Sequence, residues 1–256
     1  MGDLNALGIG PGSVVIVHAS LSSLGWVIGG AQTVVEALLE AVGSRGTIVM
    51  PAQSSHLGEP SHWSHPPVPP EWFAAIREHM PAYDPALTPL RGIGAVAECL
   101  LRHPRSVRSA HPLASFAANG AAADEICGQH PLFPALGDAS PLGRLYDLDA
   151  LVLLIGVGHD RNTSLHLAEH RADWPGKRNF PQGVPILSDG VRRWVEYEDL
   201  APDDEDFNEI GAAFASNGIE RTGRVAYADC RVVRQRAIVD FATHWMSEHR
   251  SGAARP

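Results

Sequence analysis

Residues 14–51 read VVIVHASLSSLGWVIGGAQTVVEALLEAVGSRGTIVMP. Within this stretch the β-branched run Val14–Val17 predicts a strand, Ala31–Val42 carries apolar residues at helical spacing, and Thr47–Met50 predicts a second strand. A strand, a helix and a strand of these lengths form a βαβ unit, whose strands are parallel and whose crossover is right-handed. The sequence therefore predicts an α/β fold, a single domain over residues 1–256 with a central, largely parallel or mixed sheet flanked by helices.

The composition indicates a globular protein with a sizeable hydrophobic core. Of the 256 residues, 45% are hydrophobic, and the formal net charge is −9 at pH 7. This negative charge disfavours nucleic acids and anionic membranes as partners. No apolar run is long enough for a transmembrane helix, and the start of the chain lacks the basic and apolar regions of a signal peptide. The three cysteines (Cys99, Cys127 and Cys230) are odd in number and widely spaced, so we expect reduced thiols in a cytoplasmic protein.

The segment from about residue 53 to residue 89 is irregular but rich in side chains suited to a site. It contains His56, His62 and His65, the tryptophans Trp63 and Trp72, and a proline run over Pro66–Pro70. Such a segment is too aromatic for a linker, so we expect a folded loop on the substrate side of a site. Trp63 is the residue of this loop that we expect to contact the substrate.

The loop after the first strand has the composition of an anion site. The hydroxyl-rich segment Ser20–Ser23 is followed by Gly29 and Gly30, directly before the helix at Ala31. Glycines let backbone N–H groups approach a ligand, and a helix N-terminus favours anions. The G-x-G-x-x-G and G-K-[ST] nucleotide motifs are absent, so a simple turn is the alternative interpretation.

A second polar segment follows the predicted strand within Leu151–Val157. Asn162 and Thr163 are good helix N-caps. Four titratable residues follow at three- and four-residue spacings, which places them on one helix face. They are His166, Glu169, His170 and Asp173.

This face has three interpretations. As H-x-x-E-H, it matches a zinc motif, and a zinc peptidase would add a downstream carboxylate such as Glu196. Without metal, His166 is a general base and Glu169 binds the substrate or orients the base. The third interpretation is an exposed polar surface.

Two further polar segments have both a functional and a structural interpretation. Ser109–Pro112 contains a His-Pro pair that belongs either to a site or to a turn. Asp203–Asp206 is an acidic cluster before a helix, which is either solvated or recognises a polycation. A G-x-S-x-G elbow is absent, which disfavours serine hydrolase chemistry.

Taken together and in order, these strings resemble the aminoglycoside 3-N-acetyltransferases, an antibiotic acetyltransferase family distinct from the GCN5-like enzymes. The resemblance covers roughly residues 12–245. The matching strings are Val17–Gly25, Gly29–Gly30, Gly46–Pro51, Gly94 with Glu98, Arg108–Pro112 with Ser115–Phe116, Asn162–Glu169, Asp206–Phe207 and Gly223–Val225.

The resemblance implies an acetyl-coenzyme A-dependent enzyme that acetylates the 3-amino group of the deoxystreptamine ring of aminoglycoside antibiotics and thereby confers resistance. It implies coenzyme contacts from the first loop and from the His-Pro turn. The expected coenzyme-binding residues are Ser20, Leu21, Ser22, Ser23, Gly29, Gly30, Arg108, Ser109, His111 and Ser115.

The resemblance further implies that His166 is the general base and that Glu169 contacts the antibiotic's amines. The other residues that we expect on the substrate side are His170, Asp204, Asp206 and Trp63. No catalytic metal is expected, because the family commonly has an aromatic residue at the position of His170 and the zinc-like string is then incidental. The alternatives are an acetyltransferase for another amine, a zinc peptidase, and a non-catalytic module that binds coenzyme A or polyamines.

Overall fold

The computed structural model describes residues 2–250, and a seven-stranded mixed sheet lies at its centre. The strands are β1 (Val14–Ala19), β2 (Thr47–Pro51), β3 (Val107–Arg108), β4 (Phe116–Gly120), β5 (Leu151–Ile155), β6 (Asn179–Ser188), β7 (Val191–Leu200), β8 (Arg221–Val225) and β9 (Ala228–Arg234). The helices are α1 (Gly2–Ala6), α2 (Ala31–Val42), α3 (Phe73–His79), α4 (Ala95–Arg102), α5 (Ala123–Cys127), α6 (Pro141–Asp147), α7 (Ser164–Arg171), α8 (Phe207–Ala215) and α9 (Gln235–His249).

The order of the strands in the sheet is β3-β4-β2-β1-β5-β9-β8. The strands β2, β1 and β5 run parallel, and antiparallel pairs extend the sheet on both sides. The predicted βαβ unit and the mixed sheet flanked by helices are therefore confirmed. The strands β6 and β7 form a separate two-stranded ribbon.

Helices cover both faces of the sheet because side chains alternate along each strand. In β1, Val15 and Val17 pack in a core that includes residues of α2 and α4, whereas Ile16 packs in a second core with residues of α7, α8 and α9. His18 shares the phase of Ile16, so it belongs to the face on which α7 lies. The carboxyl ends of β1 and β5 lie at the same edge of the sheet, which is where open α/β sheets bind ligands.

Three local expectations are corrected or refined. Helix α7 ends at Arg171, so Asp173 is an exposed residue beyond it and does not extend the histidine face. The sequence pattern predicts a single strand over Trp194–Tyr197, whereas the ribbon has two strands of ten residues each. The first strand was missed because Pro181 and Pro185 resemble turn signals and still fit one strand of a two-stranded ribbon. The segment 53–89 forms short 3₁₀ turns and α3, as expected for a folded loop.

Two other sequence inferences concern cysteines and membranes. All three cysteines are free, with Cys127 and Cys230 buried and Cys99 half-buried. Within residues 2–250, no helix has both the length and the apolar character needed to cross a membrane.

Candidate active site

His166 and Glu169 form a hydrogen-bonded pair at the start of α7. Nδ1 of His166 lies 2.6 Å from Oε2 of Glu169. The His166 side chain is 16% exposed and the Glu169 side chain is 1% exposed. Because the carboxylate occupies Nδ1, Nε2 is the ring nitrogen that remains for a ligand.

A buried arginine fixes the carboxylate of this pair. Oε1 of Glu169 accepts from Nη1 of Arg250 at 2.8 Å and from the backbone N–H of Asp203 at 3.0 Å. Both oxygens of Glu169 are thus engaged inside the protein. This arrangement favours the orienting role of Glu169 over the predicted contact with substrate amines.

The same arginine also engages Asp206, for which substrate contact was predicted. Nε and Nη2 of Arg250 donate to the two oxygens of Asp206 at 2.9 and 2.7 Å. Asp206 is buried, and the arginine side chain is 2% exposed. Asp206 therefore has a structural partner, in contrast to Asp204, which is exposed and borders the cleft described next.

A main cleft of about 490 Å³ opens at the carboxyl ends of β1 and β2 and extends to His166. Residues 91–94 and the start of α4 form its opposite wall, and Gly94 caps α4 with a φ of 95°. Arg91 and Arg161 are exposed at this cleft. Arg91 and the N-terminus of α4 bring positive charge to that wall, whereas Nε of Arg161 lies 3.1 Å from the carboxylate of Asp160.

His18 lines the main cleft together with His166. It is 7% exposed, and its Nε2 atom is buried without a hydrogen-bond partner. Burial, followed by the neighbouring His159 and His166, lowers the pKa of His18 to about 3. His18 is therefore neutral at physiological pH and a weak base.

The predicted coenzyme loop borders the main cleft only through its neighbour Ala19. The hydroxyls of Ser20 and Ser22 lie 3.1 Å apart and exposed, and Ser23 donates to the carbonyl of Ser20 at 2.6 Å. Leu21 begins the 3₁₀ turn that contains these serines. Gly29 and Gly30 have φ values of 78° and 60° and lead directly into α2. None of the residues from Ser20 to Gly30 lines the main cleft, so the coenzyme role of this loop stays a prediction.

The polar residues around the His-Pro turn have roles that differ from the predicted coenzyme contact. The guanidinium of Arg108 donates to the carbonyls of Ala52 and Thr88, and Ser115 donates to the same Ala52 carbonyl at 2.6 Å. These groups are buried and tie separate loops together.

Ser109 and His111 are engaged in the same way. The Ser109 hydroxyl lies 2.9 Å from Nδ1 of His130, and Nδ1 of His111 accepts the backbone N–H groups of Leu113 and Ala114. The structure favours a scaffold role for all four residues of this turn over direct contact with a coenzyme.

A small cleft of about 130 Å³ reaches His166 from its other side. His170 lines this cleft, and burial, as the largest cause, lowers its pKa to about 4. Gln182, Tyr197 and Asp199 of the ribbon also line it. His166 therefore lies between two clefts.

Trp63 lies in a third cavity, of about 560 Å³, formed mainly by the 53–89 loop. Its indole Nε1 is buried and has no hydrogen-bond partner. This loop cavity shares Gln182 with the small cleft and Arg91 with the main cleft. The predicted substrate-side loop therefore adjoins both clefts.

The zinc interpretation has no ligand set in the described part of the chain. Among residues 2–250, no three or more His, Cys, Asp and Glu side chains are grouped so that they could hold a metal ion. Glu196, the proposed third ligand, is an exposed residue of β7.

The sequence did not single out several residues that shape the site. His18 and Gly94 lie within sequence motifs that carry the family resemblance, and those motifs could have indicated both residues. Arg91 and Arg161 lack a local signal other than charge next to a turn. Arg250 lies beyond the matching strings, and 81 positions separate it from Glu169.

A histidine–carboxylate pair at the carboxyl ends of parallel strands is typical of an enzyme that moves a proton during its reaction. Comparison with known proteins identifies the class of enzyme. The family model described as aminoglycoside 3-N-acetyltransferase matches residues 16–247. The chain belongs to the aminoglycoside 3-N-acetyltransferase family, which sets aside the zinc peptidase and the non-catalytic module.

The similarity to relatives extends over nearly the whole chain. The aminoglycoside N(3')-acetyltransferase-like protein YokD of Bacillus subtilis is 46% identical, over 95% of this chain and 89% of YokD. Aminoglycoside N(3)-acetyltransferase VII of Streptomyces paromomycinus is 39% identical, over 96% and 89% of the two chains.

Solved structures share the fold. The crystal structure of YokD has a TM-score of 0.94 at 44% identity and covers 97% of this chain and 92% of YokD. AAC-IIIb in a binary complex with CoASH has a TM-score of 0.87 at 34% identity, over 100% and 97% of the two chains. AAC-VIa bound to sisomicin, in a neutron/X-ray structure, has a TM-score of 0.88 at 32% identity, over 98% and 97%.

Proposed function

We propose that this protein transfers the acetyl group of acetyl-coenzyme A to the 3-amino group of the deoxystreptamine ring of aminoglycoside antibiotics, and that it thereby confers resistance. The observation that carries the proposal is the His166–Glu169 pair between two clefts. Membership in the family and the neighbours with CoASH and sisomicin support both substrates. A coenzyme that is available in the cytoplasm also supports the expected cytoplasmic location.

His166 is the general base of this reaction. An ammonium group cannot attack a thioester, so the acceptor amine must lose a proton, and Nε2 of His166 is free to take it. Glu169 holds the Nδ1–H and stabilises the imidazolium that forms. The lowered pKa values of His18 and His170 make them weaker bases. General-base help of this kind is worth roughly 10²–10⁴ in rate.

The transfer step exchanges bonds and protons among the amine, the thioester and His166. The ammonium group first loses one proton to solvent by way of Nε2 of His166. The neutral amine nitrogen then forms a bond to the thioester carbon, its second proton passes to Nε2 of His166, the carbon–sulfur bond breaks, and the coenzyme leaves as a thiolate. The proton taken by His166 then neutralises the thiolate. Negative charge that develops on the carbonyl oxygen needs a donor, and neutral His18, with a buried nitrogen that has no partner, is suited to that role.

The main cleft is the side that we assign to the coenzyme. Arg91 is an exposed cation at its wall and suits the phosphates of coenzyme A. Arg161 adds a second guanidinium, whose charge is partly balanced by Asp160 at 3.1 Å. The N-terminus of α4 adds backbone N–H groups at this cleft. Because of the family resemblance, we assign the space before α2 to the coenzyme as well. The small cleft and the loop cavity then remain for the antibiotic.

A thiol-release assay tests the proposed function. Purified protein, acetyl-coenzyme A and a panel of aminoglycosides should release coenzyme thiol and give a singly acetylated product, with the position established by NMR. His166→Ala should lower turnover by roughly 10²–10⁴, while acetyl-coenzyme A still binds. Thiol release only with other amines would favour the alternative acetyltransferase.

Resistance is tested in cells. A susceptible bacterium that expresses the protein should tolerate a higher concentration of each aminoglycoside that is acetylated in vitro, and one that expresses His166→Ala at an equal level should not. Equal tolerance with both proteins would contradict an enzymatic origin of resistance.

A further inference from the structure

A buried histidine lies directly behind the start of α7. His159 begins the 3₁₀ turn that connects β5 to α7, and it is 4% exposed. The main cleft is lined by Asn162, Thr163 and His166, which follow in the chain, and not by His159. His159 can therefore affect the reaction only through the residues that it contacts.

The side chain of Asn162 connects this histidine to the helix. Its Oδ1 accepts the backbone N–H of Ser164, the first residue of α7, at 3.2 Å. Its Nδ2 therefore faces His159 and lies 3.3 Å from Nδ1 of the ring. An amide nitrogen donates and does not accept. Nδ1 of His159 is consequently the acceptor, and the ring proton lies on Nε2.

Glu220 accepts the hydrogen bond from that Nε2–H. Nε2 of His159 lies 2.9 Å from Oε1 of Glu220, and both side chains are 5% exposed. The other oxygen of Glu220 lies 3.6 Å from Nε of Arg231. A carboxylate on one nitrogen of an imidazole fixes both the tautomer and the orientation of the ring. A hydrogen-bond chain therefore runs from Glu220 through His159 and Asn162 to the first backbone N–H of α7.

Helix α8 is shaped to hold the imidazole in this place. Gly211 of α8 faces the ring, and a Cβ there would lie 2.2 Å from Cδ2 and 2.4 Å from Cγ of His159. Glycine is a poor residue for the interior of a helix, so its presence fits the space that the ring needs. Asn208 of α8 also holds the turn, because its Oδ1 accepts the N–H of Asp160 at 3.1 Å.

The hydrogen-bond chain ends at the turn of α7 that carries the proposed base. The backbone N–H of His166 donates to the carbonyl of Thr163 at 3.1 Å, within this first turn. A shift of the turn would move Nε2 of His166 relative to the main cleft, while Arg250 still held Glu169 in place. A misplacement of about 1 Å in a reacting geometry can cost about 10²-fold in rate.

We propose that His159 is a positioning residue for the transfer reaction, because through Asn162 it fixes the first turn of α7 and hence the place of the base His166. Glu220 selects the tautomer that the contact with Asn162 requires. This assignment rests on the proposed function. It adds a second support for the base, on the side opposite the carboxylate of Glu169, and His159 touches neither substrate.

Two amide substitutions separate the two hydrogen bonds of His159. His159→Asn places an acceptor oxygen near the position of Nδ1 and keeps the bond to Asn162. His159→Gln places a donor near the position of Nε2 and keeps only the bond to Glu220. The kcat should fall by about 10- to 100-fold for His159→Gln and by much less for His159→Asn. The KM values for both substrates should stay unchanged in both variants.

Two further variants distinguish positioning from a general loss of stability. Val233→Ala is the control, because it creates a core cavity near the amino end of β5, away from the clefts. It should lower stability to urea and leave kcat unchanged. Gly211→Ala displaces the ring of His159 without removing a polar group, so it should lower kcat. Equal kcat values for His159→Asn and His159→Gln, or kcat values that follow urea stability across the four variants, would overturn the proposal.

Amide hydrogen exchange separates this proposal from the proposed function. Exchange of the Ser164 N–H, measured by NMR on the protein without substrates, reports on the bond from α7 to Asn162. Faster exchange in His159→Gln than in His159→Asn and the wild type supports the positioning role even if no acetyl transfer is detected. Absent transfer by the wild-type enzyme contradicts the proposed function. Equal exchange in all three proteins overturns the positioning role.

Discussion

Arg250 donates to Oε1 of Glu169 at 2.8 Å, and the other oxygen of that carboxylate lies 2.6 Å from Nδ1 of His166. A residue beyond the end of α9 thereby sets the position of the proposed base in α7. The same guanidinium also holds Asp206, at the start of α8. Three helices therefore converge on one buried cation, and the geometry of the base depends on it.

Arg250→Met should destabilise the fold and lower turnover. The substitution leaves Glu169 and Asp206 as buried carboxylates without their cation, and breaking such pairs costs about 3–5 kcal/mol. Urea unfolding measures the loss. The matched control is Arg102→Met, which removes an exposed i,i+4 ion pair with Glu98 and should change the free energy of unfolding by less than about 1 kcal/mol.

A double variant distinguishes unpaired charge from lost packing. Asp206→Asn combined with Arg250→Met removes one of the two stranded charges and should regain part of the lost stability. If the double variant is no more stable than Arg250→Met, the electrostatic explanation is wrong.

Glu169→Gln should lower kcat and leave the KM for the aminoglycoside nearly unchanged. An amide at this position donates its N–H to Nδ1 of His166, which forces the proton onto Nε2 and removes the lone pair that the base needs. Loss of the correct tautomer in other histidine–carboxylate enzymes lowers kcat by up to about 10⁴. Steady-state kinetics with both substrates measures kcat and the two KM values separately.

The opposite result would restore the role suggested by the family resemblance. A rise in the aminoglycoside KM at constant kcat would show that Glu169 contacts the antibiotic. Acetyl-coenzyme A affinity, measured by calorimetry, serves as the control for folding in either case.

The sequence predicted the central βαβ unit and the pairing of His166 with a carboxylate, because both depend on local spacing. A strand buried on both faces is a continuous β-branched run, and residues three apart on a helix are neighbours. The partner of Glu169 was not predictable, because 81 positions separate it from Arg250 and only the tertiary fold brings the two together. The spacing therefore identified the pair and left open whether its carboxylate orients the base or binds substrate.

The same limit explains the Arg108 turn and the ribbon. Arg108 belongs to a motif that resembles a coenzyme contact, yet its guanidinium reaches the carbonyl of Ala52, 56 positions away. The ribbon contains Pro181 and Pro185, which are turn signals in sequence, so its place at the small cleft was not predictable before the pairing of Gln182 with Tyr197 was known. In both cases the structure depends on contacts between residues that are far apart in the sequence.

Gly30→Leu should weaken acetyl-coenzyme A binding. Gly30 has a φ of 60°, and a Cβ at this position meets no atom within 4 Å, so the added side chain fills the space before α2 that we assign to the coenzyme. Gly12→Leu is the matched control, because Gly12 also has a positive φ (85°) and open space at its Cβ, at the opposite end of β1. Calorimetry should show a loss of affinity for Gly30→Leu alone, and equal affinities would exclude the loop from the coenzyme site.

The protein should lose stability as pH falls below about 6.5. Burial is the main cause that lowers the pKa of His18 to about 3, of His111 to about 4 and of His130 to about 3. An unfolded chain protonates these imidazoles near pH 6.5, so between about pH 6.5 and 3 the unfolded state binds more protons than the folded state. The stabilisation is therefore complete above about pH 6.5 and decreases towards acid, by about 2 kcal/mol for each such histidine at about pH 5.

His18→Leu removes the contribution of one histidine to this pH dependence. The substitution breaks no hydrogen bond at the buried Nε2, because that atom has no partner. Urea unfolding at about pH 7.5 and at about pH 5 should show a smaller loss of stability for His18→Leu than for the wild type, by about 2 kcal/mol. His79→Leu is the control, because this side chain is 75% exposed and its removal should leave the difference between the two pH values unchanged. An equal loss in all three proteins would show that His18 is not held neutral in the folded state.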